Sequence, residues 1–212
     1  MTNMYKPQSA ETSPAEAAAD DKRARFDALP FLEVSSEEVR DIPRGGGGYV
    51  NRLVRWLRSK QVLGSYKNND MGWGGIVVNK VSVKSVTYHE AGPEKIALLQ
   101  VVPSLIKDGI YLTTVPKNKD GLLTHVFAGK AAIDGTSYAV SYAVREDNNG
   151  RRYYDHNLTK IEALDRTESP SGEVHRARAQ TTPDGIPSAG EESLSNILKK
   201  HLKVNRSAKN IS

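Results

Sequence analysis

The stretch LLTHVFAGKAAIDGTSYAVSYAVREDNNGRRYYDHNLTKI, Leu122–Ile161, decides the fold. Asp134-Gly135 lies between two extended segments, and such a pair favours a two-residue hairpin because glycine tolerates the positive φ that the turn requires. The turn sets a register in which Ala131 faces Tyr138, Gly129 faces Val140, Phe127 faces Tyr142 and His125 faces Val144. Small residues then oppose large ones, and one aromatic pair meets across the ladder. The other face carries Val126, Ala128, Lys130, Ala139, Ser141, Ala143 and Arg145 and is flatter and more polar. A second turn at Asp147-Asn148-Asn149-Gly150 accepts either a two-residue Asn-Gly loop or a three-residue loop closed by a glycine bulge, which differ by one residue in register. Under both, alternation puts Arg152, Tyr154 and His156 on one face of the last strand, with Arg151, Tyr153 and Asp155 on the other. Neighbours on one face lie roughly 6.5 to 7 Å apart, so these three are placed to flank a single phosphate.

The 212 residues hold one domain of ordinary size plus tails. Residues 1–30 are rich in Ala, Ser, Pro and charge without a periodic apolar face, and read as a disordered linker. No apolar run approaches membrane-spanning length, and the start has no basic region followed by an apolar signal core, so a soluble protein without membrane contact is expected. The absence of cysteine excludes disulfides and thiolate chemistry. Residues 46–165 carry 16 Lys/Arg against 11 Asp/Glu, whereas residues 1–45 carry 6 against 9. A basic excess in the core fits a polyanion partner such as nucleic acid.

Phe31 to Arg44 accommodates a short strand or an early helical turn, with Ser35 or Ser36 as cap and Glu38 available for a capping box. Gly45 to Gly48 lack the preceding strand and the following Lys-Ser/Thr of a phosphate loop, and read as a joint. Val50, Leu53, Val54 and Leu57 then repeat at helical spacing, with Gly64 as a stop and Arg52, Arg55, Arg58 and Lys60 on the remaining surface. KNNDMGWGG is a turn-rich loop whose Trp73 caps the core or stacks on a base. The valines from Ile76 to Val86 change phase after Val78, as a bulge or a strand-to-turn transition would require. Glu94 to Lys107 reads as a buried helix broken near Val102 by Pro103, and Gly109 to Leu112 as a strand. The expected fold is α+β: N-terminal helices packed on a roughly four-stranded antiparallel sheet over residues 31–165, a disordered linker over 166–190 and a short amphipathic helix over 191–204.

Four features carry a resemblance: the early amphipathic helix, the loop Gly64-Ser65-Tyr66-Lys67-Asn68-Asn69-Asp70-Met71-Gly72-Trp73, the Val-Pro-Ser-Leu-Ile helix at 102–106, and the closing Asp-x-x-Gly-Arg-Arg-Tyr-Tyr-Asp-His. Over roughly residues 31–162 the chain resembles domains of large polyvalent proteins of phages and mobile elements. These are grouped with the barnase, EndoU, colicin and RelE superfamily of ribonucleases. The resemblance implies helices on a four-stranded antiparallel sheet, metal-independent RNA cleavage without a cofactor, and a toxin or effector acting in a bacterial cytoplasm after delivery with a phage or mobile element. It also implies an immunity or antitoxin protein and the parent polyvalent protein's other domains as partners.

Metal-free RNA cleavage needs a base for the 2′-hydroxyl, an acid for the leaving oxygen and cations for the phosphorane charge. His156 is the expected acid or base with His89 as its complement, Tyr154 donates a hydrogen bond or stacks, and Arg152, Lys84, Arg145 and Arg151 hold phosphate. His125 reads as structural, Asp155 as the pin of Arg151 or a backbone amide, and His175 and His201 as tail residues. A metal site is not expected, since residues 31–165 hold neither His-x-x-x-His nor a carboxylate-rich cluster, and a serine nucleophile elbow is missing too. The rivals are a catalytically inactive copy of the fold that binds nucleic acid or serves a virion, and an interaction module working through its terminal helix.

Overall fold

A computed structural model describes residues 14–44, 48–84, 92–115 and 122–164. His89, His175, His201, the 166–190 linker and the 191–204 helix lie outside the described residues. The hairpin forms as expected: β5 (Leu123–Ile133) and β6 (Thr136–Glu146) pair with Phe127 opposite Tyr142 and His125 opposite Val144. Asp134 and Gly135 both take positive φ, 48° and 78°, as the tight turn demands. The second turn is the three-residue loop, because Glu146 pairs with Arg152, Asp147 N–H donates to the Arg151 carbonyl at 3.0 Å, and Gly150 sits at φ 72°. It leads into β7 (Arg152–Ala163).

The sheet is larger than the expected four antiparallel strands. Seven strands form one mixed sheet. Along one edge of β5 lie β1 (Leu32–Val34), parallel to Ala131–Ile133, and β4 (Ile110–Val115), antiparallel to the other end. Beyond β7 lie β3 (Ile76–Val78), parallel, and then β2 (Gly64–Tyr66), antiparallel to β3. Three-residue strands carry too little alternation to be seen in sequence, and parallel partners lie far apart along the chain.

Helices cover the inner face of the sheet. In α3 (Tyr49–Ser59) the expected stripe buries Leu53, Val54 and Leu57, and the helix ends at Lys60 and Gln61, the latter at φ 55°, while Gly64 opens β2 instead of stopping the helix. The phase change after Val78 is a strand-to-helix switch: Asn79 Oδ1 accepts from Val81 N–H at 2.8 Å and caps α4 (Lys80–Lys84). The interrupted buried helix is resolved into α5 (Pro93–Ala97), a 3-10 turn (Leu98–Val101) and α6 (Val102–Asp108). Phe127 stacks on Tyr142 at 5.4 Å, and the buried Tyr142 hydroxyl donates to the Leu105 carbonyl at 2.6 Å. Each such aromatic side chain contributes about 1.5 to 3 kcal/mol by leaving water.

Two N-terminal expectations are corrected. Within residues 1–30, α1 (Pro14–Asp27) is helical; its Ala-rich sequence favours the helix, and Phe26 anchors it on the outer face against Ile110, Leu112 and Val126. Lys22 donates to the Leu112 carbonyl at 2.7 Å and Lys130 to that of Asp27 at 2.7 Å. The capping box before α2 (Glu37–Arg40) does not form, since the Ser36 hydroxyl bonds Asp134 while Glu38 binds Trp56 and Lys60. Among the described residues no helix is long and apolar enough to cross a membrane.

Gly109 has ordinary extended backbone, φ −67° and ψ 146°, so its requirement is for space. A Cβ there would overlap the Tyr142 hydroxyl and lie 2.5 Å from the Leu105 carbonyl. Gly109→Ala is therefore expected to lower unfolding free energy by about 1 to 3 kcal/mol in urea titrations. Gly74→Ala, with nothing within 4 Å, should stay within about 0.5 kcal/mol of the parent.

Candidate functional site

Two irregularities in the strands gather polar side chains on the inner face. In β4 the register shifts between Tyr111 and Thr113, so Tyr111 and Thr114, an odd number of residues apart, both join the face of their partners Phe127 and His125. In β7 the register shifts between the pairs Ala143–Asp155 and Ser141–Lys160, and the extra residues bring Thr159 back beside Tyr154. One polar cluster is sealed by these features, and another stands at the rim.

The sealed cluster contains Tyr154, His156 and Thr159, all with 0% exposure. His156 Nε2 lies 2.9 Å from the Lys95 carbonyl, which only accepts, so Nε2 carries the proton. Nδ1 then accepts from the Tyr154 hydroxyl at 2.6 Å, and the Tyr154 oxygen accepts from the Thr159 hydroxyl at 2.8 Å. Burial, aided by the Lys95 charge, drives the His156 pKa down to about 3. Burial likewise brings Lys95 down to about 8, with Lys160 adding to the shift and Asp155 opposing it. Alternation of Arg152, Tyr154 and His156 is as expected, but the shared face is the core side, covered by α4 and α5. No phosphate reaches the imidazole, so the expected catalytic roles of His156 and Tyr154 are withdrawn.

The rim cluster is built around Glu146, at the end of β6. Its carboxylate lies 2.6 Å from Arg152 Nε and 3.4 Å from His125 Nε2. The Arg152 guanidinium stacks 4.3 Å over Trp73, whose ring meets His125 edge-on at 4.6 Å. Because a carboxylate faces Nε2, the neutral imidazole carries its proton there. Thr114 then donates to Nδ1 at 2.8 Å and accepts from the Tyr111 hydroxyl at 2.7 Å. Burial lowers the His125 pKa, with Glu146 pulling the other way. Side-chain exposure rises from 7% at His125 through 18% at Glu146 to 25% at Arg152, so the guanidinium is the group nearest to solvent. Carboxylate, imidazole and guanidinium in contact can move a proton and bind an anionic oxygen.

Among the described residues, Arg152 is the expected site residue that joins this cluster. Arg145 pairs with Asp155 at 2.8 Å on the outer face, where Asp155 was expected to pin Arg151 or a backbone amide. Arg151 is 76% exposed and pairs with Asp147 at 2.7 Å. Lys84 is exposed at the end of α4. The structural role expected for His125 left the cluster unseen, although the hairpin register already makes His125 and Glu146 same-face neighbours. Trp73, Tyr111 and Thr114 arrive from a loop and a bulge, for which local sequence carries no comparable signal.

A family model for large polyvalent protein-associated domain 3 matches residues 51–154, a span that holds every residue of the rim cluster and stops before His156. No curated protein and no solved structure matches the chain.

A histidine whose pKa is depressed on folding binds its proton more readily unfolded, so its contribution is complete above the unfolded pKa near 6.5 and is lost as pH falls towards the folded value, about 3 for His156. Urea midpoints followed from neutral to acid pH should fall steeply for the parent chain. His156→Gln, which keeps a donor and an acceptor but does not titrate, should be less stable at pH 7 and lose less on acidification, the difference in slope amounting to several kcal/mol, as an order of magnitude, across the window.

Proposed function

We propose that the chain is an RNA-cleaving domain of a phage or mobile-element polyvalent protein, akin to the barnase, EndoU, colicin and RelE ribonucleases, with its reactive centre at the rim cluster. The observation that carries this reading is the Glu146 carboxylate held between an imidazole and a guanidinium on a ledge backed by Trp73 and Tyr111. Glu146 takes the proton from a ribose 2′-hydroxyl, whose oxygen attacks phosphorus. The bond to the 5′-oxygen breaks, and protonated His125 supplies that oxygen with a proton from Nε2. Arg152 balances the charge of the phosphorane. The part-buried rings of Trp73 and Tyr111 offer aromatic surface for a base once the guanidinium over Trp73 moves aside.

The lowered pKa of His125 makes this centre an acid-side catalyst, because the imidazole must be charged while the carboxylate stays ionised. A role as a toxin or effector in a bacterial cytoplasm, held by an immunity or antitoxin protein until delivery, follows from the same reading. One observation favours a second reading, RNA binding without cleavage: His125 Nε2 is fully shielded, so Trp73 or Arg152 must shift before a ribose can reach it.

The purified chain is expected to cleave total RNA in EDTA, faster as pH falls below about 6.5 and then slower once carboxylates protonate. His125→Ala and Glu146→Gln should each lose about 100-fold or more of that rate. RNA retained on a filter but left intact by the parent chain would establish the binding-only reading. Neither retention nor cleavage would overturn both.

A further inference from the structure

A strongly basic stretch of sequence lies outside strands β5 to β7. Residues 44–84 carry eight Lys and Arg but one acid, Asp70, and Asp70 is engaged by Arg25 and by the Tyr111 amide. On α3, Asn51, Arg55 and Arg58 stand at i, i+4 and i+7, one exposed stripe about 10 Å long. Arg55 and Arg58 have no acidic partner among the described residues. Glu38 serves the neighbouring stripe, where it binds Trp56 and Lys60. The α3 stripe continues onto α4, because Lys80 Nζ reaches Asn51 Oδ1 at 3.1 Å, and Lys84 follows one turn on.

Where α4 meets the start of β7 there is a hollow of about 310 Å³, lined by Val77, Asn79, Val81, Asp147, Arg151, Arg152 and Tyr153. Val77, Val81 and Tyr153 supply its apolar and aromatic lining, and Val81 is 70% exposed. Arg152, on its wall, turns its guanidinium to Glu146. The row of cations, the hollow and the rim cluster are thus continuous.

We propose that this continuity is the path of a single RNA strand: Arg58, Arg55 and Lys80 follow consecutive phosphates, and the hollow takes one base against Tyr153 and Val81 before the strand reaches Arg152. The inference rests on the RNA reading above and adds to it where the strand runs. Phosphate contacts release counterions and make affinity fall with salt, whereas a stacked base adds affinity without a salt signature. The two halves of the path therefore have separable effects.

The test follows the binding of a fluorescent, 2′-O-methylated single-stranded oligoribonucleotide to the full chain in EDTA, across a salt titration. Arg55→Glu/Arg58→Glu should weaken binding tenfold or more, as an order of magnitude, and flatten the log–log salt slope by about 0.7 per contact removed. Val81→Asp and Tyr153→Ala should each weaken it about fivefold or more with the slope less affected for the Tyr153 variant, while thermal melts confirm that the variants fold. Lys107→Ala, at an exposed position outside the path, should bind as the parent does. If the parent binds and every surface variant binds equally, the path is wrong and the RNA reading stands. If the parent does not bind, the RNA reading fails and takes the path with it.

Discussion

The domain depends on one register, that of β5 against β6. A slip of β6 by one residue against β5 would turn Tyr142 outward and drive Arg145 into the core. The Asp134-Gly135 turn prevents this, and its carboxylate also receives the Ser36 amide at 2.9 Å, which ties β1 to the same corner. Once the register is set, the inner face presents Phe127, Tyr142 and Tyr154 across three neighbouring strands, with ring centroids 5.4 and 6.0 Å apart. The helices close over this row, and Gly109 supplies the space that the Tyr142 hydroxyl needs.

The two polar clusters differ in what satisfies them. In the sealed one, the donor and acceptor roles run in a single direction from Thr159 through Tyr154 and His156 to the Lys95 carbonyl, without a formal charge on the three side chains. Burying a neutral network with its partners in place costs little, whereas a buried imidazolium would lack a counter-charge. Around Glu146 the attraction is ionic and the groups border solvent, so an incoming phosphate can exchange with the carboxylate for Arg152. The reactivity proposed above is accordingly assigned to the cluster whose partners can be exchanged.

Much of this architecture was legible in the residues. Period-2 alternation placed Arg152, Tyr154 and His156 on one face, and the Asp-Gly turn placed every pair of the first hairpin. Alternation alone does not say which face is covered. That depends on α4 and α5, whose chain positions precede β7 by many residues, and on the bulge that returns Thr159 to the core side. The helical stripe of α3 was readable because it is strongly periodic. The short outlying strands were not, since β1 and β3 join by parallel pairing with segments distant in sequence. His125 illustrates the opposite case, in which position was readable but role was not, because Trp73 and Thr114 create its surroundings from outside the hairpin.

The edge contributed by β1 has a consequence for what counts as the autonomous unit. Residues 51–154 omit β1, α1 and most of β7, so a fragment cut to those limits would carry bare ladder groups beside Ala131–Ile133 and an uncovered apolar patch where Phe26 belongs. Such a fragment would be sticky towards any extended peptide, including its own copies. The span that the family model matches is thus smaller than the span over which these edges are covered.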